Sequence, residues 1–385
     1  MKVNWENKHM KTVKKSTTLI LLALYTIIIF YTWEMVSYSL KNYFIINRDF
    51  VFWCIVLLIG YSYGIPLLFY KYLPKALSDF FTNVSTYWMA FLLYCFIIFP
   101  IVNVITVFGH LSRNKSMELS FDGFLIIIVM TILTSIKGTV NAVFPHVIKF
   151  EVDDKKKRLK NSLNIILISD IHLGITFGKR RLTKMVEKIN YLKPDLVLIA
   201  GDIVDSEITP FMKHNLAREF SKLKSTYGTY AVLGNHDLMM GKSKEISEEL
   251  TKNGVRVLRD EKVLINNEFY LIGRDDIIAE KVGAPRKNIE DILGEVDSSK
   301  FTMLIDHNPK YSYEAENNNI DIQFSGHTHK GQMRPWAFAV KRMYEIDHGY
   351  LKKGDFNLFV SSGYGTCGPR LRTGSKAEII QVIVS

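Results

Sequence analysis

From Phe50 to Tyr70 the chain runs for 21 residues without a charged side chain. Such a run leaves few structural choices. About 30 Å of hydrocarbon takes roughly 20 apolar residues to cross as a helix, and a backbone exposed to lipid must satisfy its own N–H and C=O groups. Ser16 to Leu40 repeats the pattern with one acidic interruption, Glu34, and Phe80 to Phe108 holds no Asp, Glu, Lys or Arg. Helices are therefore expected over about 16–40, 50–70 and 86–108. A fourth segment, "GFLIIIVMTILTSI", gives 14 uncharged residues between Asp122 and Lys137. It reaches spanning length as a helix over about 119–139 if the Lys137 amine extends to the interface. Residues 1–145 thus read as an all-α transmembrane region of about four helices. The opening "KHMKTVKKSTTLILLALYTIIIF" has a basic start and an apolar core, but no small-residue cleavage site follows, so an uncleaved anchor is expected.

The formal charge of +11 belongs largely to the flanks of these spans. Lys2, Lys8, Lys11, Lys14 and Lys15 precede the first, and Lys155, Lys156, Lys157, Arg158 and Lys160 follow the last. Attraction to anionic lipid accounts for that placement. The bilayer is the expected partner, and nucleic acid is not, because the basic residues do not interleave with aromatics in one stripe. With four crossings, one side carries fourteen Lys and Arg near the spans and the other four, which puts both termini, and everything after residue 145, on the cytoplasmic side of the cell membrane. Cys54, Cys95 and Cys367 are too far apart to suggest a disulfide framework or a thiolate metal site.

From residue 146 to 385 the pattern changes. After a first strand, "HVIKFEV", a short apolar run ends in polar residues five times: "NIILISDIH", "DLVLIAGDIVD", "TYAVLGNHD", "TMLIDHNP" and "DIQFSGHTH". Runs of this length, rich in Ile, Leu and Val and closed by Gly, Asn or Asp, read as buried strands. "KRRLTKMVEKINYLKP" places Leu182, Met185, Val186 and Ile189 on one helical face, and "SKEISEELTKNG" does the same with Ile246 and Leu250. Strand and helix alternate, so the fold class is α/β.

Ligands of open α/β sheets collect beyond the carboxyl ends of strands, where these polar residues stand. Singly, the motifs say little: Gly-Asp is a common turn dipeptide. "GHTH" says more, because alternate residues of an extended chain point the same way, which puts His327 and His329 on one side. Together the motifs hold five of the ten histidines, with Asp170, Asp202 and Asn235. If the strand ends converge, the donors suffice for two metal ions. Nitrogen and oxygen ligands without thiolate suit Mn, Zn or Fe. Two such ions polarise a phosphoryl oxygen and lower the pKa of a bound water, so the expected chemistry is phosphoester hydrolysis.

The ordered set "DIH", "GDIVD", "GNHD", "HNP" and "GHTH" resembles the calcineurin-like metallophosphoesterases, in particular the bacterial branch with an N-terminal multi-span membrane region. The resemblance runs from about Val147 to the C-terminus and includes "SGHTHKGQMRPW" and "VSSGYGTCGPRLRTGSKAEI". It implies an αββα two-sheet sandwich. It further implies that Asp170, His172 and His329 hold one ion, that Asn235, His307 and His327 hold the other, and that Asp202 bridges them. His236 would protonate the leaving oxygen or steady the transition-state charge, with Asp237 fixing its imidazole. Arg370, Arg372 and Lys330 are candidates to meet a substrate phosphate. The membrane region favours a lipid-linked phosphodiester or pyrophosphate as substrate; a soluble phosphomonoester, nucleotide or phosphoprotein is the alternative for the same centre. A membrane sensor or scaffold whose metal site binds without turnover is the rival reading, against which the presence of His236 weighs.

Overall fold

The computed structural model describes residues 2–40, 50–69, 72–111 and 121–385, and the chain divides into two compact units, residues 1–136 and 137–385. The first unit is helical. By length and composition, three helical segments can each cross a membrane: Leu19–Tyr38, Ala76–Ile105 and Leu125–Val143. The last lies in a helix of 23 residues, Phe121–Val143, so the segment with the shortest uncharged core has spanning length. Residues 70, 119 and 120 lie outside the described residues, as do Lys41, Arg48, Lys71, Arg113 and Lys115, on which the charge count partly rests.

The expected helix over 50–70 is corrected. It is two pieces, Phe50–Gly60 and Gly64–Phe69. Turn bonds carry the chain across the break, Tyr61 N to Leu57 O at 2.8 Å and Gly64 N to Tyr61 O at 3.0 Å. The Gly60 carbonyl loses its helical donor and takes the Tyr25 hydroxyl instead, at 2.6 Å. A Cβ at Gly60 would lie 2.6 Å from Ile29 Cδ1, so the absence of a side chain lets the two helices meet there. The third long helix, Lys75–Leu111, starts well before the expected 86. Its polar early turns survive because Thr82 and Thr86 donate to Ser78 O and Thr82 O, at 2.8 and 2.9 Å. Ile29, Val56, Trp88 and Leu92 form a small core, while Leu19, Phe50, Ile101 and Ile126 are exposed, as lipid-facing side chains are.

Twelve strands are described in the second unit, in two sheets of six. In chain order they are β1 His146–Val152, β2 Leu163–Ile168, β3 Leu196–Ala200, β4 Thr229–Val232, β5 Val255–Val257, β6 Glu261–Ile265, β7 Phe269–Arg274, β8 Phe301–Asp306, β9 Ile322–Ser325, β10 Gly349–Lys353, β11 Phe356–Val360 and β12 Glu378–Val384. One sheet runs β1-β12-β2-β3-β4-β5 and the other β10-β11-β9-β8-β7-β6. The period of two along each strand assigns its faces. Ile165 and Leu167 of β2, Leu196 and Leu198 of β3, and Met303 and Ile305 of β8 fill the core between the sheets. Their alternates Ile166, Ile168, Val197 and Ile199 pack outward with Leu182, Met185 and Ile189 of helix Lys179–Tyr191 and with Ile246 and Leu250 of helix Ser243–Lys252. On the far side Ile272, Leu304 and Leu358 meet Ile289, Ile292 and Ala315. The layers are therefore helix, sheet, sheet, helix, as expected. Each fully buried Leu, Ile or Met contributes about 1.5–3 kcal/mol, an upper figure because the unfolded chain is partly compact.

β2, β3 and β4 are parallel neighbours, and so are β7, β8 and β9. All six deliver the chain to loops at their carboxyl ends.

Candidate metal centre

Asp170 and His172 follow β2, Asp202 follows β3, Asn235 and His236 follow β4, His307 follows β8, and His327 and His329 follow β9. The structure brings all of them together. His172 Nε2 lies 3.1 Å from His329 Nε2, and His329 Nε2 lies 3.4 Å from Asp170 Oδ1. On the other side His327 Nδ1 is 2.8 Å from Asn235 Oδ1 and 3.3 Å from His307 Nε2. Asp202 Oδ2 stands between the two groups, 3.8 Å from His172 Nε2 and 3.5 Å from His307 Nε2. Bare imidazoles do not gather round two carboxylates at these distances for packing alone. The arrangement turns ring nitrogens and carboxylate oxygens to a common space.

The backbone is bent to achieve this. Asp170, His172, Asp202, His327 and His329 have φ of 50, 50, 49, 71 and 48°, the left-handed region that costs a side chain of order 1–3 kcal/mol. Two motif glycines permit the close approach. A Cβ at Gly201 would lie 2.5 Å from His307 Nδ1, and one at Gly326 the same distance from Asp170 Oδ2.

Neighbouring groups aim the rings. His307 Nδ1 pairs with the Ala200 carbonyl at 2.6 Å, which turns Nε2 to the centre. Asp205 stands 3.7 Å from His172 Nδ1, longer than a hydrogen bond but close enough for its charge to act. Burial raises the Asp202 carboxyl, but the His307, His172 and His236 imidazoles outweigh it and hold the group well below the usual carboxylate range. Burial, and then the His307 charge, lowers His327 to about 3. Burial and the Arg372 guanidinium likewise hold His329 well below its ordinary value. Both rings therefore keep free lone pairs at neutral pH.

His236 sits at the rim, partly exposed. Its backbone N–H donates to Asp202 Oδ1 at 2.9 Å, its ring meets His172 edge-on at 4.9 Å, and Cys367 Sγ lies 3.8 Å from its Nε2.

Two expectations are corrected. Asp237 does not orient the His236 imidazole: fully buried, it accepts the backbone N–H groups of Ile203 at 3.1 Å, Val204 at 2.9 Å and Gly234 at 2.9 Å. Both oxygens are thereby committed to tying the loop after β3 to that after β4. Burial, then the Asp202 charge, pushes its carboxyl up to about 7 against those three donors. Arg372 does not face a substrate either. It is fully buried, donates to the carbonyls of Ser362 and Gly365, both at 2.7 Å, and has Nη2 3.2 Å from His329 Nδ1.

One residue absent from the sequence reading joins the centre. Asp276 follows β7, and one of its carboxylate oxygens lies within 4.8 Å of ligand nitrogens of His307 and His327. The signal was present: "FYLIGRDD" is another apolar run ending in carboxylates, masked by the charge of Arg274.

A family profile described as calcineurin-like phosphoesterase matches residues 163–331. The chain is 30% identical over 283 residues to an uncharacterized metallophosphoesterase of Campylobacter jejuni, covering 72% of this chain and 73% of that one. It is 32% identical over 245 residues to one of Aquifex aeolicus, covering 63% of this chain and 92% of that one. A transmembrane protein with metallophosphoesterase domain from Danio rerio is 28% identical over 292 residues, covering 71% of this chain and 66% of that one.

Proposed function

Because the chain belongs to the calcineurin-like phosphoesterases, we propose that it is a membrane-anchored phosphoesterase with a centre for two divalent ions. The observation that carries the reading is the convergence of seven side chains from five strand ends on one space, divided into two halves by Asp202. Asp170, His172 and His329 would hold one ion, Asn235, His307 and His327 the other, and Asp202 both. The donors are nitrogen and oxygen only, which suits Mn, Zn or Fe. When bound, the ions polarise a phosphoryl oxygen and supply a water of lowered pKa as nucleophile.

The chain's own part is proton transfer and positioning. His236 is outside both ligand sets yet fixed beside them through its backbone bond to Asp202, and it delivers a proton to the leaving oxygen. Arg372 stands behind His329 and positions its ring, and Asp205 sets its charge behind His172. A cleft of about 490 Å³ opens from Asn235 and His327 and is lined further by Arg286, Lys281, Lys310 and Tyr311. Asp276, Glu280 and Glu314 also line it, but Lys281, Lys287 and Lys310 offer ammonium groups that suit an anionic substituent of the scissile phosphate. Together with apolar helices of spanning length, this favours the phosphorylated headgroup of a lipid-linked ester or pyrophosphate as substrate.

The test is hydrolysis by the full chain in detergent, freed of metal and reloaded with Mn or Zn, of an aryl phosphodiester, an aryl phosphomonoester and a lipid-linked pyrophosphate. Metal-dependent turnover is expected. A chain that binds no metal and stays inert overturns the reading; one that binds metal without turnover is a sensor or scaffold.

A further inference from the structure

We propose that Asp276 is an additional oxygen donor to the ion assigned to Asn235, His307 and His327, an assignment that rests on the two-ion reading above. β7, β8 and β9 are adjacent and parallel, with Arg274 opposite Asp306 and Ile305 opposite Phe324. Residues just past their ends therefore emerge side by side: Asp276, His307 and His327. A carboxylate oxygen of Asp276 lies within 4.8 Å of a ring nitrogen of each histidine, and the residue shares the wall of the cleft with Asn235 and His327.

Burial makes the placement expensive. Asp276 is 1% exposed; Oδ1 accepts the Ile278 N–H at 2.8 Å, and Oδ2 has no partner in the protein. An isolated buried carboxylate costs several kcal/mol unless a cation or donors compensate. The nearby guanidinium groups are committed elsewhere: Arg286 to Asp306 at 2.8 Å and to the Asp275 carbonyl at 2.7 Å, Arg274 to Glu314. A metal ion between Asp276 and the two imidazoles supplies the missing charge. The turn at Ile278 does not explain the acid, since one neutral amide oxygen would serve it. With Asp202, Asn235, His307 and His327, Asp276 would make five protein donors to that ion. That shell suits Mn or Fe better than four-coordinate Zn.

The test is Mn²⁺ titration of the metal-free full chain in detergent, read by equilibrium binding and by electron paramagnetic resonance. The native chain is expected to take two ions with an exchange-coupled spectrum. Asp276→Asn keeps an acceptor for Ile278, and should weaken the second ion by about tenfold or more and give the spectrum of an isolated ion. Asp276→Ser, smaller but still an acceptor, should match it, and Asp276→Glu should recover the coupled spectrum. Two ions of native affinity in either folded neutral variant overturn the assignment while leaving the two-ion centre intact. A native chain that binds fewer than two ions overturns both.

Discussion

His236 and Asp237 are neighbours in sequence and opposites in use. Successive positions on a helix turn by about 100°, and in the short helix Asn235–Met239 this sends the imidazole to the rim and the carboxylate inward. A sequence shows that an acid adjoins a base but not which way each faces, so the pairing expected of them was not legible. The residues that converge were legible, because each follows an apolar run whose end its own strand fixes. Asp276 obeys the same rule and escaped it only because Arg274 breaks the run. His236→Ala should lower kcat by about 100-fold or more, the usual worth of a positioned proton donor, with metal content unchanged. Metal analysis beside single-turnover hydrolysis checks this, and full activity in the variant removes His236 from the proton transfer.

At the level of elements, hydropathy reads side chains and is blind to carbonyls. It marked β2, β3, β8 and β9 correctly, since a buried parallel strand is apolar on both faces. It could not show that the helix stops at Gly60, whose carbonyl takes the Tyr25 hydroxyl. The first residue of β12 offers a test of how the second unit is closed. Glu378 is buried, accepting Ser362 N–H at 2.7 Å and His348 Nε2–H at 2.8 Å. Burial raises its carboxyl, but the His348 contact and the Ser362 N–H outweigh it and the net shift is downward. A depressed acid contributes stability above its unfolded pKa, near 4.3, and loses it as pH falls through the folded value. The thermal midpoint of the native chain should exceed that of Glu378→Gln at pH 5–6, and the gap should close below about pH 4. A gap that does not change with pH would mean the charge contributes nothing.

For the whole molecule, parity decides the side of the membrane. If the interrupted pair Phe50–Gly60 and Gly64–Phe69 crosses, there are four passages and the second unit shares the cytoplasm with the N-terminus, the arrangement the basic flanks favour. Reporters fused after Ser385 and before Met1 should then both be active only inside. An external C-terminal reporter would leave three crossings and turn that pair back within the bilayer. The left-handed backbone at five candidate ligands bears on the molecule's stability as well as its chemistry. Glycine at any of them would relieve backbone strain while deleting a donor, and at Asp202 it would also remove the acceptor of the His236 N–H. Relief of strain and loss of buried contacts therefore compete at each of these positions, and the thermal midpoint of a metal-free glycine variant reads which is the larger.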